Sequence, residues 1–391
     1  MTPARRPRPI TLASTALILL LAVLAAGCGK SDDSKKETWK IGLQAPITGD
    51  LAQLGEGMLE GAQLAADEIN DDGGLLGKGV EVVAIDDKGD PQAGTAAANT
   101  AIEAGLDGVV GPYNSGVGLK TLPLFIDDGL VPIRLTSDDA TNGLGFTLQP
   151  MTYQIAPVAA DAMSKWLKAK SVAIIYDGTE AYTKGVAKNV RAQLKKKGVD
   201  VVFDESIKPG GSSYSDVVKS AGKSGADVVY LVTYFPEGGL IAKEMHEQKI
   251  AAQCLADYGA YDTGFIEAAG AGAKDCPVVG VPAPSDFESA SEHVAAFKEK
   301  FDAEPGTWSP YTYDSVKFLA DGVAKAGGFS EDKLTDTLSK VTDWNGWTGS
   351  VSINAENGTR EPATLVVLKT DGEGFTVDTD WAKAVGAPYG K

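Results

Sequence analysis

The sequence predicts an α/β protein built from two domains. Short Val- and Ile-rich runs alternate with Ala-rich stretches of helical spacing along most of the chain. The alternation comes in two series that meet near Gln149 and Pro150. A chain of 391 residues is long enough for two domains with cores of their own.

The first series opens on a strand–loop–helix–strand unit, Trp39 to Pro91. Ile41 to Ala45 is an apolar run, and a turn-rich polar loop, Pro46 to Gly57, follows it. Met58, Ala62, Ala65 and Ile69 then recur at helical spacing, with Glu60, Asp67 and Glu68 off that face. Gly73, Gly74, Gly77 and Gly79 end the helix, and Val80 to Ile85 begins a second strand. Strands joined in this way are parallel neighbours with a right-handed crossover. The polar loop leaves the carboxyl end of the first strand, where open α/β sheets bind ligands.

The same periodicities continue in order. Pro91 to Ala104 reads as a helix, Gly108 to Val110 as a strand, Gly116 to Asp127 as a helix and Val131 to Leu135 as a strand. Phe146 to Leu148 leads into the second series, with strands at Ser171–Tyr176, Val199–Ser206, Asp227–Val232 and Ala251–Leu255. Helices at Tyr153–Leu167, Ala181–Lys197, Ser215–Lys223 and Glu237–Gln248 separate them. Val278 to Pro282 starts a third section, with helices at Ser289–Phe301, Thr312–Ala326 and Glu331–Lys340. Gly349–Ile353 and Ala363–Leu368 are the last clear strands. On pattern alone, everything after Pro150 belongs to one large second domain.

Residues 1–27 read as an export leader. Arg5, Arg6 and Arg8 precede an apolar run from Ile10 to Ala25 that is too short for a membrane span. The leader ends in Leu24-Ala25-Ala26-Gly27-Cys28, which resembles a bacterial lipobox with Cys28 as the lipidated residue. Residues 28–38 are polar and aperiodic, as in a flexible tether. The formal net charge is −17, and it becomes −20 once a leader holding three arginines and no acids is removed. That charge argues against nucleic acid or an anionic membrane surface as the main partner. Cys254 and Cys276 remain, and in an exported protein an isolated pair reads as a disulfide, the alternative being two buried thiols. The bridge would close a loop of about 20 residues and contribute roughly 3 kcal/mol.

Several segments resemble the leucine/isoleucine/valine-binding family, the solute-binding proteins of branched-chain amino acid ABC transporters. They are IGLQAPITGDLAQLG, GAQLAADEIN, GGLLGKGVEVVAIDDKGDP and VVGPYNSGVGLKTLPLFIDDGLVPI, and the resemblance runs from about Trp39 to Phe375. It implies a type I periplasmic binding fold, two doubly wound α/β lobes joined by a three-crossing hinge with the ligand between them. Carried over, one lobe is residues 39–149 plus 283–350, and the other is 150–282 plus 351–391.

The resemblance also implies site residues. Gly111 to Gly116 follows a strand and opens a helix, and on pattern Ser115 is a helix cap. In the family the matching Ser holds the ligand carboxylate, aided by helix-end amides such as that of Gly116. The next strand leads into Thr136, Ser137 and Asp138, where the family supplies a backbone carbonyl and a Thr. Asp138 falls at the Thr position unless Ser137 takes the role after a one-residue slip. Tyr182 and Tyr234 match tyrosines that close over the ligand from the second lobe. Two departures follow. Leu54 stands where the family has an aromatic ring, and Tyr258 stands where it has the Glu that meets the ligand ammonium. Asp257 or Asp138 would then replace that acid, or the ligand is an amide, a urea-like molecule or another small polar solute.

Enzyme motifs are poorly represented. Ser220 to Lys223 spells S-x-x-K without its companion motifs, and G-x-S-x-G, P-loop and zinc-protease patterns do not occur. No cofactor or metal is expected. The expected molecule is a monomeric, lipid-anchored extracytoplasmic solute-binding protein that serves an ABC permease. A sensory receptor of the same fold and an exported hydrolase are the alternatives.

Overall fold

A computed structural model describes residues 38–388, so Cys28, the leader and most of the tether lie outside the described residues. The first half begins β1 (Thr38–Ala45), α1 (Ala52–Asp71), β2 (Gly79–Asp86), α2 (Pro91–Glu103), β3 (Gly108–Val110), α3 (Ser115–Asp127) and β4 (Pro132–Ile133). These strands form a parallel sheet in the order β2-β1-β3-β4. The apolar stripe expected for α1 is the face it buries, with Met58, Ala62 and Ala65 fully covered. Helix α2 starts at Asp90, whose carboxylate accepts from the amides of Gln92 and Ala93, with Pro91 in the first turn. Ile85, Ala98, Val109 and Phe125 pack together on the opposite face of this sheet, so it is covered on both sides, as parallel sheets require.

The chain continues with α4 (Thr152–Asp161), β5 (Ser171–Asp177), α5 (Ala181–Lys196), β6 (Asp200–Ile207), α6 (Ser215–Lys223) and β7 (Val228–Val232). Next come α7 (Phe235–Glu247), β8 (Gln253–Ala256), α8 (Thr263–Ala269) and β9 (Val278–Gly280). After α9 (Ala290–Phe301), α10 (Ser309–Ala326) and α11 (Glu331–Leu338) come two short antiparallel pairs. These are β10 (Trp344–Gly346) with β11 (Gly349–Val351), and β12 (Ile353–Asn354) with β13 (Thr359–Arg360). The described chain closes with β14 (Val366–Thr370), β15 (Phe375–Val377) and α12 (Thr379–Val385).

Strands β5 to β9 are parallel and build a second sheet in the order β6-β5-β7-β8-β9, to which β14 and β15 add antiparallel at the β9 edge. Val228 to Val232 of the central β7 are all buried, whereas the edge strand β6 is largely exposed. Register explains the disulfide. Ala256 pairs with Val278, which sets Cys254 and Cys276 side by side two residues earlier, and they are bonded with Cα atoms 4.6 Å apart.

The pattern-based division at Pro150 does not describe the packing. Helix α10 returns to lie on α1, although about 250 residues separate them in sequence. Ser309 Oγ donates to the Gly57 carbonyl at 2.7 Å, and a Cβ on Gly61 would stand 2.2 Å from the Ser309 carbonyl oxygen. Only glycine permits so close an approach of two helices.

Candidate functional site

Each sheet has a point where successive connections leave in opposite directions, between β1 and β3 in one and between β5 and β7 in the other. Loops at the carboxyl ends of such strands diverge and leave a crevice. Tyr113 and Ser115 follow β3, Leu135 and Ser137 follow β4, Tyr182 follows β5, and Tyr234 follows β7. With Tyr258 after β8, these residues line one cavity between the two sheets. Its volume is about 10 Å³, space for roughly one water molecule. The tyrosine rings meet across it, with Tyr113 and Tyr182 centred 6.1 and 6.0 Å from Tyr234.

Ser115 is the first residue of α3. Asn114 stands at the cap position and makes no side-chain cap. The buried Ser115 hydroxyl instead accepts from the amides of Ser137 at 3.3 Å and Asp138 at 3.1 Å. Both bonds use its lone pairs, which leaves its proton for a group in the cavity. The Gly116 amide, expected to await an anion, donates to Glu180 Oε1 at 2.8 Å. Glu180 comes from the second sheet's side, so a protein carboxylate already meets this helix end.

In the β4 loop Ser137 and Asp138 face different ways. Ser137 is in the cavity wall. The Asp138 carboxylate turns away and accepts from the Ala140 amide at 2.7 Å, and its other oxygen lies against Gly185. Burial raises its pKa above the usual carboxylate value. Thr136 is fully buried and faces the loop interior, where its hydroxyl pairs with Thr141 at 2.8 Å and its carbonyl accepts from Arg134 at 3.2 Å. Arg134 is itself fully buried and its hydrogen-bond acceptors are neutral atoms. Desolvation pulls its pKa down to about 9. It pins the loop that presents the two amides to Ser115.

Asp257 does not reach the cavity as an ammonium partner. It is fully buried, and its oxygens accept the hydroxyls of Tyr182, at 2.5 Å, and Tyr230. Burial raises its pKa against the pull of those bonds. It therefore orients the Tyr182 ring from behind. The Tyr258 hydroxyl donates to Gln149, and its ring lies 4.9 Å from that of Trp308. Leu54 is buried in α1 and does not line the cavity. Burial holds Tyr113, Tyr182, Tyr234 and Tyr258 far above the ordinary phenol range, so all four stay neutral. The cavity thus offers hydroxyls and aromatic faces, with no charged side chain in its wall.

Sequence reasoning brought Ser115, Ser137, Tyr182, Tyr234 and Tyr258 to this place. It missed Tyr113, Leu135, Arg134 and Glu180. Tyr113 sits in the loop that supplied Ser115, and only its ring's direction was hidden. A lone acid such as Glu180, one residue ahead of a helix, gives no sequence signal of a contact 64 residues away.

Residues 38–373 match the family model described as periplasmic binding protein. The Leu/Ile/Val-binding protein BraC3 of Rhizobium johnstonii is 34% identical over 309 residues, which cover 77% of this chain and 83% of that protein. A leucine-, isoleucine-, valine-, threonine- and alanine-binding protein of Pseudomonas aeruginosa is 27% identical over 83% of this chain and 88% of its own. Among solved structures, the leucine-binding protein LivK of Thermotoga maritima superposes with a TM-score of 0.81 at 23% identity, over 87% of this chain and 97% of that one. The substrate-binding protein LivJ of Streptococcus pneumoniae, in complex with isoleucine, gives 0.78 at 26% identity, over 87% and 98%.

Proposed function

Because the chain belongs to the periplasmic binding protein family, among the relatives of the Leu/Ile/Val-binding proteins, we propose that it captures a small polar solute of the amino acid or amide class and delivers it to an ABC importer. It is a binding protein and not an enzyme. The observation that carries the proposal is the small cavity between the sheets, where Ser115 and Ser137 from one side face Tyr182, Tyr234 and Tyr258 from the other. So small a space admits a solute only when the two sides part, and closing on it would give the permease a distinct form to recognise. The lobes in this reading are residues 39–149 plus 283–350 and residues 150–282 plus 351–391, and the molecule acts as a monomer. Sheet membership supports the division, since β9 and β14 share a sheet while α10, between them in sequence, packs on α1.

A solute held between the lobes should stabilise the fold by about 2.7 kcal/mol at a hundredfold excess over its dissociation constant. The check is a melting screen of amino acids, amides and small acids on protein unfolded and refolded to strip carried-over ligand. A broad screen with no shift would defeat the proposal.

Lipid anchoring is part of the same proposal and rests on Cys28 at the end of the leader. Cys28→Ser should move the protein from the membrane fraction to the soluble one. Retention of the variant on membranes after a mild salt wash would rule the anchor out.

A further inference from the structure

A second cavity, of about 180 Å³, adjoins the first on the other side of Tyr234 and is again lined from both sheets. Asp177, Glu180 and Glu237 stand around it, with Asp50 and Lys88 exposed at its rim. Each inner acid has one oxygen fixed by an N–H donor: Asp177 by Thr179 at 2.7 Å, Glu180 by Gly116 at 2.8 Å and Glu237 by Gly210 at 3.0 Å. Among the described residues no ion pair reaches any of the three. Burial, with Asp177 as a neighbouring charge, raises the pKa values of Glu180 and Glu237. An independent feature points the same way. Asn114 lines this cavity and is only 2% exposed, yet its Oδ1 has no hydrogen-bond partner. That oxygen lies toward Gly89, itself in the cavity wall. Buried acceptors without donors are costly, and three acids with a carbonyl around one space call for a donor-rich cation.

We propose that this cavity is a cation subsite, which takes an ammonium or guanidinium group carried by the bound solute. The inference rests on the solute-binding reading above. The group is organic, because no set of three His, Cys, Asp or Glu side chains among the described residues is arranged to hold a metal ion. Ser115 would meet the solute's carboxylate on one side of Tyr234, and the acids would meet its cationic group on the other. A guanidinium suits the site well, since it carries five donors and no acceptor. The favoured class is then amino acids with a basic side chain, and not the purely aliphatic ones.

Calorimetric titration of the refolded, ligand-stripped protein with arginine, its uncharged isostere citrulline, lysine and leucine tests the subsite. Arginine or lysine should bind at least about tenfold more tightly than citrulline and leucine. Glu180→Gln and Glu237→Gln keep the side-chain shape, and each should shrink the arginine-to-citrulline ratio by about threefold or more. Melting curves identify a variant that has lost its fold, in which case the wild-type ratio and the other variant decide. Equal affinity for arginine and citrulline, or a ratio that both folded variants leave intact, overturns the subsite. Leucine binding without cation preference would leave the wider solute-binding reading standing. Binding of none of the probes here, or of any solute in the melting screen, would overturn both.

Discussion

Ser115→Ala should weaken solute binding on the order of 10- to 100-fold, because a hydrogen bond to a charged ligand group contributes roughly 1.5–3 kcal/mol. The same variant should also destabilise the ligand-free protein. The sequence pattern offered Ser115 only as a helix cap. The structure gives the hydroxyl a second task, since it accepts the buried amides of Ser137 and Asp138. Leaving such donors unpaired costs about 1–3 kcal/mol. Tyr234→Ala should match the loss of affinity by removing ring area from the opposite wall. It should spare the β4 loop, which Tyr234 does not hold. Calorimetric affinity measured beside the melting temperature of the stripped protein separates the two effects. Unchanged affinity in both variants would remove the cavity from consideration as the solute site.

Asp257→Ala should be the more damaging to stability, by roughly 3–5 kcal/mol, since two buried tyrosine hydroxyls lose a charged acceptor together. Asp257→Asn should cost less, because the amide keeps one acceptor and avoids the desolvation that raises the Asp257 pKa. Both should also weaken binding, since Tyr182 loses the bond that fixes its ring in the cavity wall. Denaturant titrations with an unchanged slope would report the stability loss directly. An alanine variant as stable as the parent would show that the carboxylate does not hold these tyrosines.

What could be read from the sequence was what local spacing encodes. The stripe through Met58, Ala62, Ala65 and Ile69 foretold both α1 and its buried face. The disulfide was suggested by an isolated cysteine pair in a chain read as exported, and the β8–β9 register brings the two together. Ser115, Tyr182 and Tyr234 came from the family resemblance, and the structure places them in the loops after β3, β5 and β7, where strand ends gather. Side-chain direction was another matter. Asp257 and Tyr258 are adjacent, and the chain alone does not say which faces the cavity and which faces Tyr230. The choice falls out of packing, since the acid finds two hydroxyls behind the wall and the ring finds Trp308 within it. Nor does any local signal announce that β14 joins the sheet of β9 while α10 goes back to α1. Those pairings depend on surfaces that exist only once both sheets have formed.

The return of α10 to α1 bears on how the molecule comes into being. The glycine face of α1 at Gly57 and Gly61 waits for Ser309, 252 residues downstream of Gly57. Closing so long a segment adds little entropy beyond that of a moderate one, but such distant contacts slow folding. In a chain made amino end first, the strands of the first sheet are available early, with that helix face uncovered. The first half cannot be completed until most of the chain has been made. A single helix–helix contact thus ties the last packing step of the first half to residues synthesised long after its strands.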